Sequence, residues 1–303
     1  MEVVGTVAGF TAALEAARAR GATVGLVPTM GALHAGHRSL VARAAAECDH
    51  VAVTIFVNPL QFGDPDDIDR YPRTLPDDLE LCRSAGAATV LAPSVAEMYP
   101  DWPAPVATTV SVRGVGDRWE GASRPGHFDG VATVVAKLFA MAGACRAYFG
   151  EKDFQQLAVV RRMAADLSMP VDVVGCPTVR DDDGLALSSR NVRLSSSERA
   201  AAPVLSRALA AGREAVAAGE DRPGAVAAVM AAVVATEPSV VLDYAVAVDA
   251  ADLAVPAALA DAATVRLLIA ARVGPVRLID NCDAPRPGVA ATAHDGHDAR
   301  TAD

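Results

Sequence analysis

At 303 residues the chain is long enough for two domains, each with its own hydrophobic core. A formal net charge of −10 argues against nucleic acid or an anionic membrane as a general partner, while leaving room for a local basic pocket. A hydrophobic content of 52% with 21% charged residues fits a folded globular protein, although Ala supplies much of the apolar share.

Met1-Glu2-Val3-Val4-Gly5 has no basic segment followed by an apolar run, so no secretory signal is expected. The uncharged Ala/Val stretch over 223–236 is too short to span a bilayer. Cys48, Cys82, Cys145, Cys176 and Cys282 are odd in number and widely spaced, with no C-x-x-C. That pattern reads as reduced thiols of a cytoplasmic protein rather than disulfides or a zinc site.

Periodicity predicts a helix over 6–20, closed by Gly21. A short buried strand over 24–27 leads through Pro28-Thr29-Met30-Gly31-Ala32-Leu33-His34-Ala35-Gly36-His37 into an amphipathic helix over 37–47. The β-branched run 51–57 is a strand covered on both faces, ended by Asn58-Pro59. Thr74 with Asp77 signals a capped helix start, and that helix ends at Gly86 before a strand over 89–92. Residues 93–128 are irregular and long for a plain connection, as a lid, binding surface or interface would be. Then follow a helix over 131–141, a strand over 147–149, a helix over 154–167 and a strand over 170–175.

Strands alternating with helices predict an α/β fold of Rossmann-like kind, a mostly parallel sheet with helices on both faces, over residues 1–178. Ligands of such sheets sit beyond the C-terminal strand ends, at a switch in strand order. From about Thr178 the pattern changes to a smaller α+β domain over 179–283. Ser195-Ser196-Ser197-Glu198 is a capping box opening a helix to about Ala218, and a second helix precedes strands at 240–248, 264–271 and 276–279. Gly274 and Pro275 fit the last turn, and the Pro/Gly/Ala/Asp-rich tail 284–303 is expected to be disordered.

Several clusters admit a chemical and a plainer reading. His34 and His37 stand at a helix start, whose unpaired N–H groups favour phosphate; they read equally as capping or surface histidines. A catalytic zinc site needs a third protein ligand, and none is nearby. Gly150-Glu151-Lys152-Asp153 offers a Lys for phosphate and an Asp for a ribose hydroxyl, or is an ordinary exposed helix start. Spacing does not decide which of Gln155 and Gln156 faces solvent. Leu187-Ser188-Ser189-Arg190-Asn191 places a guanidinium beside two hydroxyls, suited to phosphate oxygens or to a surface turn. Asp77-Asp78 suits water-mediated Mg²⁺ or simply a helix N-terminus. Asn58 and Gln61 offer neutral amides for a hydroxy acid, or are turn residues.

Together these segments resemble one family. The loop 28–37, Ile55-Phe56-Val57-Asn58-Pro59-Leu60-Gln61-Phe62-Gly63, Tyr71-Pro72-Arg73-Thr74, Gly126-His127-Phe128, Phe149 to Leu157 and Asp183 to Asn191 resemble the pantoate–β-alanine ligases in family order across 24–283. The H-x-G-H is the mark of the wider nucleotidylyltransferase superfamily, and Ser188-Ser189-Arg190 resembles its mobile phosphate loop. Ala35 fills the variable H-x-G-H slot where a larger polar residue is expected.

The resemblance implies an ATP-dependent condensation of pantoate with β-alanine through a pantoyl-adenylate, releasing AMP and pyrophosphate. It places Met30, Gly31, Ala32, Leu33, His34, Ala35, Gly36 and His37 along the ATP site, with both histidines on the phosphates and His37 as proton donor. Gly150, Glu151, Lys152 and Asp153 would take phosphate and ribose, and Val179 would touch adenine. Leu187, Ser188, Ser189 and Arg190 would close over the triphosphate. Gln61 and Gln156 would hold pantoate, with Gln61 also near β-alanine, and Asp77 and Asp78 would hold Mg²⁺. His37, His34, Lys152 and Arg190 are then the expected catalytic groups. It also implies a homodimer. Two rivals stay open: a nucleotidylyltransferase that stops at adenylyl transfer, and a non-catalytic nucleotide-binding protein.

Overall fold

The computed structural model describes residues 1–63 and 68–287. Its first sheet has six parallel strands: β1 (Glu2–Val4), β2 (Val24–Thr29), β3 (His50–Ile55), β4 (Thr89–Leu91), β5 (Cys145–Gly150) and β6 (Val171–Cys176). The spatial order is β1-β4-β3-β2-β5-β6, so the chain winds outward in two directions from the β2/β5 pair. That pair is the switch point, and the loops leaving its C-terminal edge are the H-x-G-H loop and Gly150–Asp153.

Side chains alternate between two cores along each strand. Leu26, Ala52, Leu91, Ala147 and Phe149 pack under α1 (Val7–Ala19), α4 (His127–Ala142) and α5 (Phe154–Asp166), against Phe10, Leu14, Leu138 and Leu157. Val27, Val51, Val53, Val90 and Tyr148 face α2 (Ala35–Glu47) and α3 (Leu75–Ser84), against Leu40, Val41, Ala44 and Cys82. Coverage on both faces is why these strands read as unbroken apolar runs.

The second sheet is antiparallel: β7 (Val240–Asp249), β8 (Val265–Val273) and β9 (Val276–Ala284), in that order. One face packs on α7 (Val204–Ala217) and α8 (Pro223–Val234) through Leu205, Leu209, Met230, Leu267 and Ile269. Leu268, Val248 and Leu253 turn the other way and join the core of the parallel sheet.

Several expectations change. β1 was not foreseen: three residues carry no periodicity, and only pairing with β4 makes them a strand. The helix expected from Ser195 to about Ala218 has its capping box but is split into α6 (Ser196–Ala201) and α7. Pro203 falls at the break, where it has no N–H to offer the preceding turn. Thr74 makes no backbone cap; its hydroxyl bonds Asp78 instead. The tail does not begin at Ala284, which is buried at the end of β9, and residues 288–303 lie outside the described residues. Segment 93–128, read as a lid, binding surface or interface, contains two single-turn helices and the start of α4, and it ties the two sheets together. Trp119 Nε1 donates to the Leu253 carbonyl, and buried Glu120 pairs with both terminal nitrogens of Arg277 at 2.7 Å. No helix among the described residues is long and apolar enough to cross a membrane.

Candidate active site

The H-x-G-H loop is shaped by its backbone. β2 ends at Thr29, whose hydroxyl donates to the Thr54 carbonyl at 2.6 Å. Gly31 (φ 88°) and Ala32 (φ 51°) then reverse the chain in the left-handed region, which costs Ala32 about 1 kcal/mol or more. Buried Asp78 holds that turn: its carboxylate accepts from the Ala32 amide at 3.1 Å and the Leu33 amide at 2.8 Å.

His34 is the N-cap of α2 and His37 its third residue, and their rings cap one another's backbone. His34 Nδ1 accepts from the Gly36 amide at 3.2 Å, and His37 Nδ1 accepts from the His34 amide at 3.3 Å. Burial lowers both pKa values, His34's further through the Lys152 charge and His37's, to about 3, further through His34. Both rings are therefore neutral at pH 7. With each Nδ1 accepting, the single proton sits on Nε2, making each ring a fixed hydrogen-bond donor. The capping reading is thus realised, and it leaves Nε2–H as the donor of each ring.

The Asn58–Gln61 turn follows β3. Asn58 Nδ2 donates to Gln61 Oε1 and to the Gly130 carbonyl, each at 3.0 Å, while Asn58 Oδ1 accepts from Tyr99 at 2.9 Å. Gln61 Nε2 is left against Met30 Sδ at 3.0 Å, a weak acceptor that a substrate oxygen can replace. Gly130 is required here, because a Cβ would press on the Leu60 carbonyl and lie 2.7 Å from Gln61 N.

A cavity of about 200 Å³ gathers these elements. Met30, Gly36, both histidines and Gln61 line it with Gly150, Lys152, Asp153, Gln156, Val179 and Leu187 to Arg190. Its remaining wall is apolar, formed by Phe56, Val131, Val134, Val135, Leu138 and Phe149. Gly31, Ala32, Leu33, Ala35 and Glu151 do not line it; they shape or flank it, and Ala35 is exposed. A larger cavity of about 390 Å³ at the boundary of the two sheets shares Lys152, Asp153, Gln156, Ser188 and Arg190, making one continuous crevice.

Lys152 Nζ lies 3.3 Å from Asp153 Oδ1. Desolvation opposes the charged form of Asp153, but Lys152 and Arg190 outweigh it and keep its pKa below the usual range. The Ser188–Arg190 loop is pinned at its base: Leu187 N donates to the Val179 carbonyl at 3.0 Å, and Arg180 forks Asp280 at 2.6 and 2.9 Å. The two glutamines separate. Gln155 is buried scaffold, donating to the Val115 and Arg118 carbonyls and accepting from Glu120 N, whereas Gln156 faces the cavity.

Asp77 and Asp78 do not form an inward-facing pair. Asp77 is exposed, and Asp78 spends its carboxylate on two amides and the Thr74 hydroxyl. Among the described residues no group of three His, Cys, Asp or Glu is placed to hold a metal. His127 carries no role that the sequence predicts. Its Nδ1 donates to the Gln61 carbonyl at 2.9 Å, its Nε2 accepts from Arg124, and burial with the Arg124 charge lowers its pKa to about 4. The sequence signal was the Gly126-His127 helix start, which local reasoning could not connect to residue 61.

The pantoate–β-alanine ligase family model matches residues 2–283. The chain belongs to the pantoate–β-alanine ligase family. Among these ligases, the pantothenate synthetase of Cereibacter sphaeroides is 55% identical over 279 residues, covering 92% of this chain and 98% of that one. The crystal structure of the pantothenate synthetase from Thermus thermophilus superposes with a TM-score of 0.87 at 49% identity, over 94% of this chain and 100% of that one. A ligase of the family from Francisella tularensis, solved with a β,γ-ATP compound and β-alanine, gives a TM-score of 0.76 at 31% identity over 93% and 97%.

Proposed function

We propose that the crevice condenses pantoate with β-alanine at the expense of ATP, through a pantoyl-adenylate. One observation carries this reading. Phosphate donors (His34, His37, Lys152, Ser188 to Arg190) share a single cavity with two carboxamides, Gln61 and Gln156, set beside an apolar wall. Pantoate has two hydroxyls, a carboxylate and a gem-dimethyl carbon. The carboxamides suit the hydroxyls, and Val131, Val134, Val135 and Leu138 suit the methyls.

ATP would lie across the switch point with adenine at Val179 and ribose at Asp153. A pantoate carboxylate oxygen attacks the α-phosphorus, the bond to the β-bridging oxygen breaks, and pyrophosphate leaves. The β-alanine nitrogen then attacks the acyl carbon, the carbon–oxygen bond to AMP breaks, and the extra proton of the amine passes to the departing phosphate or to water. No protein nucleophile is required, so the rate comes from positioning and from stabilising phosphate charge. Lys152 and Arg190 supply full positive charge. The neutral histidines supply fixed N–H dipoles, so His37 acts first as a hydrogen-bond donor to phosphate oxygen.

The Asp77–Asp78 pair does not fit a directly ligating Mg²⁺ site. Magnesium would arrive on the triphosphate, held by phosphate oxygens and water. Residues 1–178 bind the nucleotide and pantoate, residues 179–283 close over the ATP site, and the protein works as a cytoplasmic homodimer. The test is exchange of labelled pyrophosphate into ATP. Exchange that requires pantoate, with AMP released only when β-alanine is added, supports the reading. Pantoate-dependent exchange with no β-alanine-dependent AMP release would indicate a nucleotidylyltransferase. ATP binding without exchange would indicate a non-catalytic protein.

A further inference from the structure

The turn that carries Lys152 is held from the other sheet. Asn281, on β9, donates Nδ2 to the Glu151 carbonyl at 2.9 Å and to the Lys152 carbonyl at 2.8 Å. Its Oδ1 accepts from Nε of Arg266, on β8, at 2.8 Å and from Nη2 of the same guanidinium. Arg266 lies 4.1 Å over the Phe154 ring and 3.3 Å from the Glu151 carboxylate. Both residues are buried, Asn281 to 4% exposure and Arg266 to 8%.

A primary amide has two N–H groups and one oxygen, and all three are used here. The two donors fix consecutive carbonyls, hence the peptide planes on either side of Lys152, hence the direction in which its side chain leaves the backbone. Arg266 fixes which way round the amide sits, because its N–H groups can donate only to the amide oxygen. We propose that Asn281, oriented by Arg266, is a positioning residue for Lys152, so that the antiparallel sheet is a required part of the triphosphate site. This rests on the reading of Lys152 as a phosphate-binding residue.

The probe is Asn281→Asp, nearly isosteric and still able to bind Arg266, but presenting an acceptor to the two carbonyls. In the full chain, ATP affinity measured by calorimetry should weaken about 10-fold and kcat should fall about 10- to 100-fold, as expected for a displaced reacting group. In a Lys152→Ala background the same change should weaken ATP by less than about 2-fold, because residues acting through one another are not additive. Asn281→Ala, which buries no charge, repeats the cycle should the Asp variant fail to fold. Equal losses in both backgrounds would overturn the proposal and leave Asn281 as a domain tie. No loss from Asn281→Asp alone would also overturn it. If Lys152→Ala by itself leaves ATP affinity and turnover unchanged, the Lys152 reading is the one that fails.

Discussion

Replacing Asp78 by Asn tests whether this carboxylate holds the H-x-G-H loop or serves a metal. Asp78 is 2% exposed and accepts from the Ala32 amide, the Leu33 amide and the Thr74 hydroxyl at 2.8–3.2 Å. Asn keeps one acceptor oxygen and turns an NH₂ toward the other donors. Leaving one buried amide unsatisfied costs about 1–3 kcal/mol, and the surviving bond loses its charge assistance, worth about 1 kcal/mol more. The expected loss is therefore about 2–4 kcal/mol. It falls on the turn where Ala32 already holds an unfavourable φ of 51°, so the His34 and His37 donors should shift with it. Urea unfolding without magnesium reads the stability, and ATP titration reads the site, where about a 10-fold weakening is expected from a loss of about 1.4 kcal/mol. If Asp78→Asn unfolds at the wild-type urea concentration yet needs far more Mg²⁺ for half-maximal activity, the clamp argument is refuted and the metal role returns.

Lys152→Ala, Arg190→Ala and His37→Ala should each lower turnover by at least about 10²–10³ with circular dichroism unchanged; near-normal turnover would remove that residue from the phosphate cage. Because the folded pKa of His37 is about 3, below its unfolded value, its contribution is full above pH 6.5 and is lost as pH falls toward 3. Between pH 7 and 5 this residue alone should cost about 2 kcal/mol, and His37→Asn should reduce the pH dependence there by that amount, leaving the share of His34 and His127. Gly130→Ala forces a Cβ onto the Leu60 carbonyl, where backbone meets backbone. We expect at least about 3 kcal/mol of destabilisation, read by thermal unfolding, and a larger rise in KM for pantoate than for ATP.

Much of the scaffold was legible because its signals are local. The run 51–57 announced a strand covered on both faces, Gly21 and Gly86 marked helix ends, and Ser195 with Glu198 announced a cap that forms as read. Short or competing signals are not legible in this way. β1 is three residues long, Pro203 breaks a helix inside an otherwise continuous Ala-rich run, and Thr74 bonds Asp78 instead of capping its own helix.

The candidate site was legible to the extent that each residue's own chemistry announces it: two imidazoles at a helix start, a Lys and an Arg after turns, carboxamides after a strand. The sequence by itself determined the parallel α/β plan and the residue types available for phosphate and hydroxy acid. Only the tertiary structure decided which of them meet. Strand order put the loops after β2 and β5 side by side, capping fixed which histidine nitrogen carries the proton, and packing sent Gln155 inward and Gln156 to the cavity. Contacts such as Asp78 with Leu33 or Asn281 with Lys152 span 45 and 129 positions. Hydrogen bonds at that separation leave no periodic trace along the chain, because their geometry is set by how the sheets and helices pack and not by neighbours in sequence.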